Sequence, residues 1–433
     1  MSSAAEADCD VLISGGGMVG GCLAVALARC GHHVAVVEAQ ARLRGQAQSV
    51  DSPGNYDDRA SALSWGSRLL LEQLGLWPEI AAAAAPIEHI HVSQRGHFGA
   101  TRLHAEEEGT AALGYVLENR VLGAALAPRL TTDPAIELLA PARIIGFEPV
   151  DGGVVARVSL AGQDSGQVGG EQCSIRARLL IAAEGTRSPL RELGGFELRE
   201  TPYGQSAVIA NMDVERDLAG WAFERFTDSG PLALLPLHAA GDGGAGLGGD
   251  GRRCSLVWTL RDADVDGVLA LDDDEFLRRL QARFGWRLGR LLHVGRRSAF
   301  PLGLVEALPQ YRGRLLLLGN AARTLHPAAG QGFNLALRDL CALAELLGEA
   351  RANDAGSDPG DAALLAEFAA RRHADQRAVV RMTDGLVKLF SSRCRPLGQL
   401  RGAGLLACDL LPTLRHALAR QSMGLHTRLS LPG

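Results

Sequence analysis

Residues 10–38 read DVLISGGGMVGGCLAVALARCGHHVAVVE, and the order of residue types within them decides the fold. The runs "DVLIS" and "HVAVVE" are short, apolar and β-branched, as strands buried on both faces are. Between them "GGGMVGG" reads as a tight turn and "CLAVALARCG" as a helix, so the segment is one βαβ unit. Gly15, Gly17 and Gly20 form G-x-G-x-x-G, followed by Ala24 and Gly31, and Glu38 ends the second strand. Gly15 permits the turn, Gly17 lets the backbone approach a pyrophosphate, and Gly20 lets the helix pack closely on the strand. The helix start offers N–H groups and partial positive charge to phosphates, and Glu38 can accept from adenosine ribose hydroxyls. A dinucleotide is the expected ligand, but this turn alone does not separate FAD from NAD.

The C-terminal third makes that choice. Residues 315–347 read "LLLLGNAARTLHPAAGQGFNLALRDLCALAELL", in which a strand delivers Gly319 and Asn320 to a loop and Gly330-Gln331-Gly332-Phe333-Asn334 opens a long helix. Asn320 suits a ribityl chain or pyrophosphate. The N–H groups near Gly332–Asn334 suit the N1/O2 edge of a flavin, where the reduced ring carries negative charge that a helix start stabilises. Pro327 stiffens the loop beside the ring, and His326 reads as a packing residue of that loop. A third element, Ala183-Glu184-Gly185-Thr186-Arg187-Ser188, sits between a strand and a helix, where a short acidic turn can meet the pyrophosphate or help admit a nicotinamide.

Composition sets the limits. A chain of 433 residues with 47% hydrophobic and 21% charged residues is expected to form two interlocked globular domains. Its net charge of −5 argues against nucleic acid as a partner. The eight cysteines show neither a C-x-x-C pair nor zinc spacing, so no metal is expected and a reduced, cytoplasmic setting fits. The N-terminus lacks the pattern of a secretory signal, and no run of about 18 apolar residues suggests a membrane span.

After the βαβ unit, polar sequence runs from Arg42 to Asn55, and "RASALSWGSRLLLEQLGLW" then shows helical spacing ending near Gly75. From about Ile87, "IEHIHVSQRGHFGATRLHAEE" alternates as antiparallel strands do. Helical spacing resumes in "LENRVLGAALAPRL", and a β-rich stretch from about Tyr203 to Trp258 is broken by the glycine-dense segment 241–251, read as a floppy hairpin tip. The expected fold class is α/β. It comprises a discontinuous dinucleotide-binding domain at 1–80, 110–195 and 295–355, a substrate domain at 81–109 and 196–294, and a helical region at 356–433.

The three elements, in this order, resemble the group A flavoprotein aromatic hydroxylases, with their para-hydroxybenzoate hydroxylase-like fold. The phrases "DDRASALSWGS", "HVSQRGHFG", "WAFERFTDSGPLALLPL", "CSLVW", "FGWRLG" and "GNAARTLHPAAGQGFNLALRD" are similar to the ubiquinone-biosynthesis hydroxylases, and most to the UbiH-type branch acting on 2-polyprenyl-6-methoxyphenol. This resemblance spans Asp10 to about Leu425. It implies a Rossmann-like FAD-binding domain interleaved with an antiparallel-sheet substrate domain, and FAD contacts at Gly15, Gly17, Gly20, Glu38, Arg59, Arg120, Asn320, Pro327, Gly330, Gly332 and Asn334. Glu184, Gly319 and Phe333, from the segments above, complete the set of candidate cofactor residues. Two positions depart from pattern: Glu184 stands where the family's turn usually has Asp, and Asn320 where the wider fold commonly has Asp.

The resemblance further implies that NAD(P)H reduces the flavin, that O₂ adds at flavin C4a, and that one oxygen passes to an electron-rich phenol. No side chain is assigned as catalytic, because the cofactor is the reagent. A polyprenylated phenol is nearly insoluble. The segment 382–420, with apolar stripes flanked by Lys388, Arg393, Arg395, Arg401, Arg415 and Arg420, can therefore lie peripherally on the inner face of a membrane or dock a quinone-biosynthesis complex. It can equally be a helical layer closing the back of the FAD domain. Two alternatives stay open at this level: a hydroxylase of a different, soluble phenol, and a flavin-poor scaffold subunit.

Overall fold

The structure, a computed structural model, describes residues 8–41, 59–160, 171–238, 251–327, 330–391 and 395–425. The polar segment read after Arg42 and the glycine-dense segment short of Gly251 lie outside the described residues.

The opening βαβ unit forms as its sequence dictates. Strand Cys9–Ser14 pairs in parallel with Val34–Val37 on one side and Gln172–Ala182 on the other, with Ile13 opposite Val36 and Ile181. Leu315–Leu317 and Ile136–Leu139 extend the sheet in parallel on its two flanks. Both faces of this sheet are covered, which is why its strands are apolar without alternation. On one face, helices Met18–Arg29 and Gln331–Asn353 pack Leu23, Leu27, Leu337 and Leu340 against Ile13 and Ile181. On the other, the hairpin Ala142–Val150 and Gly153–Leu160 covers Leu12 and Leu180. Each fully buried leucine or isoleucine contributes about 1.5–3 kcal/mol.

A second sheet of nine strands carries the long strand Leu198–Val214 between Arg253–Arg261 and Ser298–Ala307, all antiparallel. It continues through Pro231–Leu237 and Trp221–Phe226 to His89–Gln94 and Ala100–His104. The antiparallel strands expected around residue 90 and between Tyr203 and Trp258 are thus present. Ser298–Ala307, grouped above with the dinucleotide-binding layer, pairs within this second sheet.

One expectation is corrected. The helical spacing read from residue 59 onward holds only from Trp65 to Gln73; Ala60–Ser64 is a strand, paired antiparallel with Gly114–Glu118. Tertiary pairing overrides a local pattern rich in Ala and Ser, whose strand preference is weak. With Ala85–Ile87 these strands form a small third sheet, and Ile87 and Val116 pack with Ala222 and Leu237 of the large one.

The C-terminal region is helical, with Ala362–Ser391, Arg395–Leu410 and Pro412–Ser422. The first of these is fixed to helix Gln331–Asn353 by a buried charge network: Arg372 donates to Asp339 at 2.7 Å and to Asp375, and Arg338 donates to Asp375 at 2.9 Å. Breaking one partner of such a buried pair is strongly destabilising, by about 3–5 kcal/mol. Among the described residues, no helix is long and apolar enough to cross a membrane.

Candidate active site

Strand Cys9–Ser14 delivers the glycine turn. Gly15 has φ +101°, and a Cβ there would stand 2.7 Å from the carbonyl oxygen of Ala183. Only glycine serves both conditions. A Cβ on Gly20 would meet the carbonyl oxygen of Gly15, so this residue sets the approach of helix to turn. A Cβ on Gly17, by contrast, would meet nothing within 4 Å. Gly17 is also the N-cap of helix Met18–Arg29 and makes no side-chain cap bond, so the first turn presents its N–H groups and dipole to the space in front of it. The Glu38 carboxylate closes the turn, accepting from Gly16 N–H at 2.7 Å and Gln40 N–H at 2.8 Å.

The second cradle is built by helix Gln331–Asn353. Gly330 is its N-cap in the left-handed region, φ +58°, again without a side-chain cap, and its N–H bonds to the Pro327 carbonyl at 2.9 Å. Asn334 holds this start in place. Its amide donates to the carbonyls of Gly330 (2.7 Å) and Ala62 (2.8 Å) and accepts from Ser64 N–H (2.9 Å). That strand, misread as helix, is therefore what positions the second cradle.

Both cradles open on a single cavity of about 1680 Å³. Of the residues singled out from sequence, Gly15, Gly17, Glu38, Arg59, Arg120, Glu184, Asn320, Pro327, Gly330, Gly332 and Phe333 line it. Gly20, Gly319 and Asn334 stand behind the wall, the two glycines acting through close packing and Asn334 through its hydrogen bonds. A Cβ on Gly319 would lie 3.2 Å from Val19 of the first helix, which joins the two cradles physically.

Charged members of the site are held by neighbours. Arg59 lies over the Phe300 ring, 5.3 Å from its centroid. Arg120 donates to Glu118 at 2.8 Å, and the same carboxylate receives Arg253 at 2.8 Å. Glu184 accepts from the hydroxyls of Ser14 (2.6 Å) and Ser188 (2.5 Å) and from Leu190 N–H (3.2 Å). At the cavity wall its carboxylate thus ties the end of the first strand to the start of the short helix Pro189–Leu193.

Away from the cradles the cavity becomes apolar. Val92, Leu235 and Val257 wall it from the large sheet, and Met382, Leu386 and Phe390 from helix Ala362–Ser391. Phe390 stacks on Phe226, their centroids 3.5 Å apart. These residues were not singled out from sequence, although the unbroken apolar run of Pro231–Leu237 marks a strand covered on both faces. Where the polar and apolar ends meet, His326 is buried with its ring edge-on to Tyr203 at 5.5 Å. Burial pushes its imidazole down to about 4, so it is neutral at pH 7. Burial, reinforced by Asp384, raises the Tyr203 phenol, which donates to Asp384 at 3.1 Å.

Uncapped helix starts facing one cavity are the donor set that a dinucleotide's phosphates and an anionic ring need. The open space before Gly17 and Gly332 fits close approach of such a group. A family model described as FAD binding domain matches residues 8–383. The chain belongs to that family. It is 38% identical to ubiquinone hydroxylase UbiL of Rhodospirillum rubrum over 98% of this chain and 91% of that protein. Against the 3-demethoxyubiquinol 3-hydroxylase of Escherichia coli K12, identity is 31% over 96% of this chain and 98% of that protein. Among solved structures, p-nitrophenol 4-monooxygenase PnpA from Pseudomonas putida DLL-E4 superposes with a TM-score of 0.72 at 18% identity, covering 96% of this chain and 98% of that one.

The expected α/β fold and the resemblance to the ubiquinone hydroxylases are thus borne out. This member of the FAD family is an FAD-dependent aromatic monooxygenase, and NAD(P)H is the reductant typical of its family. Bound FAD supplies the redox and oxygen-activating chemistry, and the chain's own residues position it and exclude water.

Proposed function

We propose that this monooxygenase hydroxylates a polyprenylated methoxyphenol ring on the route to ubiquinone. The observation that carries this reading is the continuity of one cavity from two glycine cradles into an apolar chamber between the large sheet and the C-terminal helices. That cavity has to hold FAD as well as substrate, and its part beyond the cradles is lined by apolar side chains such as Val92, Leu235, Val257, Met382, Leu386 and Phe390, as an isoprenoid tail requires. The names of the relatives at 38% and 31% identity support the same class of substrate.

In this reading the helix start at Gly17 and the turn at Gly15 hold the pyrophosphate, and Glu38 accepts from the adenosine ribose. Arg59, Arg120 and Asn320 bond to phosphate, ribityl or ring oxygens at the rim. The N–H groups of Gly332 and Phe333 face the pyrimidine edge of the flavin, with Pro327 stiffening the loop beside it. Gly20, Gly319 and Asn334 keep the two cradles at a fixed separation. Glu184 braces the turn. The neutral His326 keeps the junction of ring and chamber free of charge.

The enzyme acts in the cytoplasm, at the inner face of the membrane that holds its substrate. Leu410, Leu411 and Leu414 at the C-terminal end are exposed and support contact there, whereas Arg401 and Arg415 turn inward to the carbonyls of Leu389 and Asp409. The test is NAD(P)H consumption by FAD-loaded enzyme with prenylated and unprenylated phenols, with mass spectrometry of the product. Gain of one oxygen on the prenylated phenol alone is expected. Equal turnover of a tail-free phenol would replace this substrate with a soluble one.

A further inference from the structure

On the face of the large sheet opposite the cavity, arginines gather without enough carboxylates to balance them. Strands Trp221–Phe226 and His89–Gln94 pair in parallel with Arg225 opposite Ser93, and Ala100–His104 pairs antiparallel with Arg102 opposite His91. Side chains of paired residues share a face, so Arg225 and Arg102 stand on the same side, separated diagonally by one strand. Arg287 reaches this face from the loop after helix Asp273–Phe284, whose Phe284 packs edge-on to Phe223 at 5.7 Å.

The three guanidinium groups line one pocket of about 400 Å³ with Ser93, Gln94 and His97. Arg102 is bonded to Asp409 at 2.7 Å, while Arg95 and Arg283 share Asp228. Among the described residues, neither Arg225 nor Arg287 has a carboxylate partner, and the Arg225 Nε is buried without a bond. Desolvation and then the facing Arg287 lower the Arg225 guanidinium, and His91 beneath is held down to about 4 by burial first and Arg287 next. Arg225 and Arg287 are thus brought together without a carboxylate between them, an arrangement shaped for a counter-ion.

We propose that Arg225 and Arg287, with the Asp409-bound Arg102 at the pocket wall, form a binding pocket for a phosphate group, distinct from the flavin cavity on the other face of the sheet. Planar forks converging from a strand and a loop suit the several oxygens of a phosphate monoester or diester. Ser93 and Gln94 add neutral side chains to the lining. The phosphate is either a free anion or a lipid headgroup, since Phe98, 84% exposed, lies at the pocket edge.

The test uses enzyme saturated with FAD, so that its own phosphate cradle is filled. Inorganic phosphate is titrated at constant ionic strength against chloride, and sedimentation with phosphatidylglycerol vesicles is compared with phosphatidylcholine vesicles. Arg225→Gln and Arg287→Gln are measured beside the unsubstituted enzyme. Expected for a free anion is a melting temperature raised by about 1–3 °C in phosphate. That increment is lost in both variants, which melt no lower than the unsubstituted enzyme in chloride because a repulsion has been removed. Expected for a headgroup is vesicle binding that needs phosphatidylglycerol and is lost in both variants. If neither probe binds, or if binding survives both substitutions, the pocket is not a phosphate site.

Discussion

Ser14 donates its hydroxyl proton to Glu184 across 2.6 Å, joining the end of the first strand to a turn 170 positions later. Ala183 N–H bonds to the Ser14 carbonyl at 2.8 Å in the same place, so the two turns at the phosphate end are fastened by backbone and side chain together. The second oxygen of Glu184 takes Ser188 and Leu190 N–H. The longer side chain of Glu184 spans from Ser14 on one side to Ser188 and Leu190 on the other. The departure from the family pattern is therefore matched by a local set of partners.

It follows that Glu184→Gln weakens bonds to a charged acceptor, each worth about 1.5–3 kcal/mol. The expected result is a loss of about 2–3 kcal/mol in denaturant unfolding, with weaker FAD retention and a KM for NAD(P)H within about twofold. A stability unchanged beside a tenfold higher KM for NAD(P)H would show that the carboxylate serves the nucleotide instead.

The two glycines of the turn separate fold from ligand. Gly20→Ala drives a Cβ into the Gly15 carbonyl, and overpacking of that kind costs about 1–3 kcal/mol or more. Gly17→Ala meets no protein atom within 4 Å. Gly17→Ala is expected to melt without FAD as the unsubstituted chain does, yet to bind FAD at least about tenfold more weakly, a loss of about 1.4 kcal/mol. Gly20→Ala is expected to melt lower even without FAD. Flavin fluorescence titration and calorimetry on the apoprotein distinguish them, and equal FAD affinity for Gly17→Ala would place the pyrophosphate elsewhere.

The readable parts of the sequence were those whose reasons are local. Each glycine of the turn answers to a clash or a dihedral within a few residues, and the start of helix Gln331–Asn353 carries its own marker in Gly330. Ala60–Ser64 was misread because nothing in "ASALS" announces a strand; its partners are Gly114–Glu118 and the amide of Asn334, which no local pattern reveals. The chamber was invisible for a related reason. Apolar runs say that Leu235 and Val257 belong to covered strands, but not that they face Met382 and Phe390 across a cavity instead of packing on them. The arginine pocket combines residues 102, 225 and 287, each ordinary on its own.

His326 and His91 make the apoprotein acid-sensitive. Burial holds both imidazoles down to about 4, against 6.5 for the ordinary group. Between those values the unfolded chain binds protons that the folded chain refuses, so stability falls as pH falls from 6.5 toward 4. For a shift of that size the loss is about 3 kcal/mol for His326. Asp10, held at about 2, adds a loss only below its ordinary value of 3.8. Denaturant unfolding at pH 7 and pH 4.5 is expected to show the fall, and His326→Gln is expected to flatten it. An unaltered slope in that variant would mean that His326 is protonated in the folded chain.

On the proposed reading the chamber holds the substrate's tail, and Ala233 is where that can be tested. It lies in strand Pro231–Leu237, in register with Glu224 and Val257, and its side chain lines the cavity. A phenylalanine there fills space without adding charge and without touching either glycine cradle, so FAD retention is expected to stay unchanged. Turnover should then split by substrate. The kcat/KM for a long-tailed phenol is expected to fall at least tenfold, about 1.4 kcal/mol of transition-state stabilisation, because the tail no longer seats beside Val257 and Leu235. A tail-free phenol, which needs only the junction near Tyr203 and His326, is expected to keep its rate within about twofold. A parallel fall for both substrates would mean that Ala233 borders the reacting ring, and the isoprenoid tail would have to leave the enzyme by another wall.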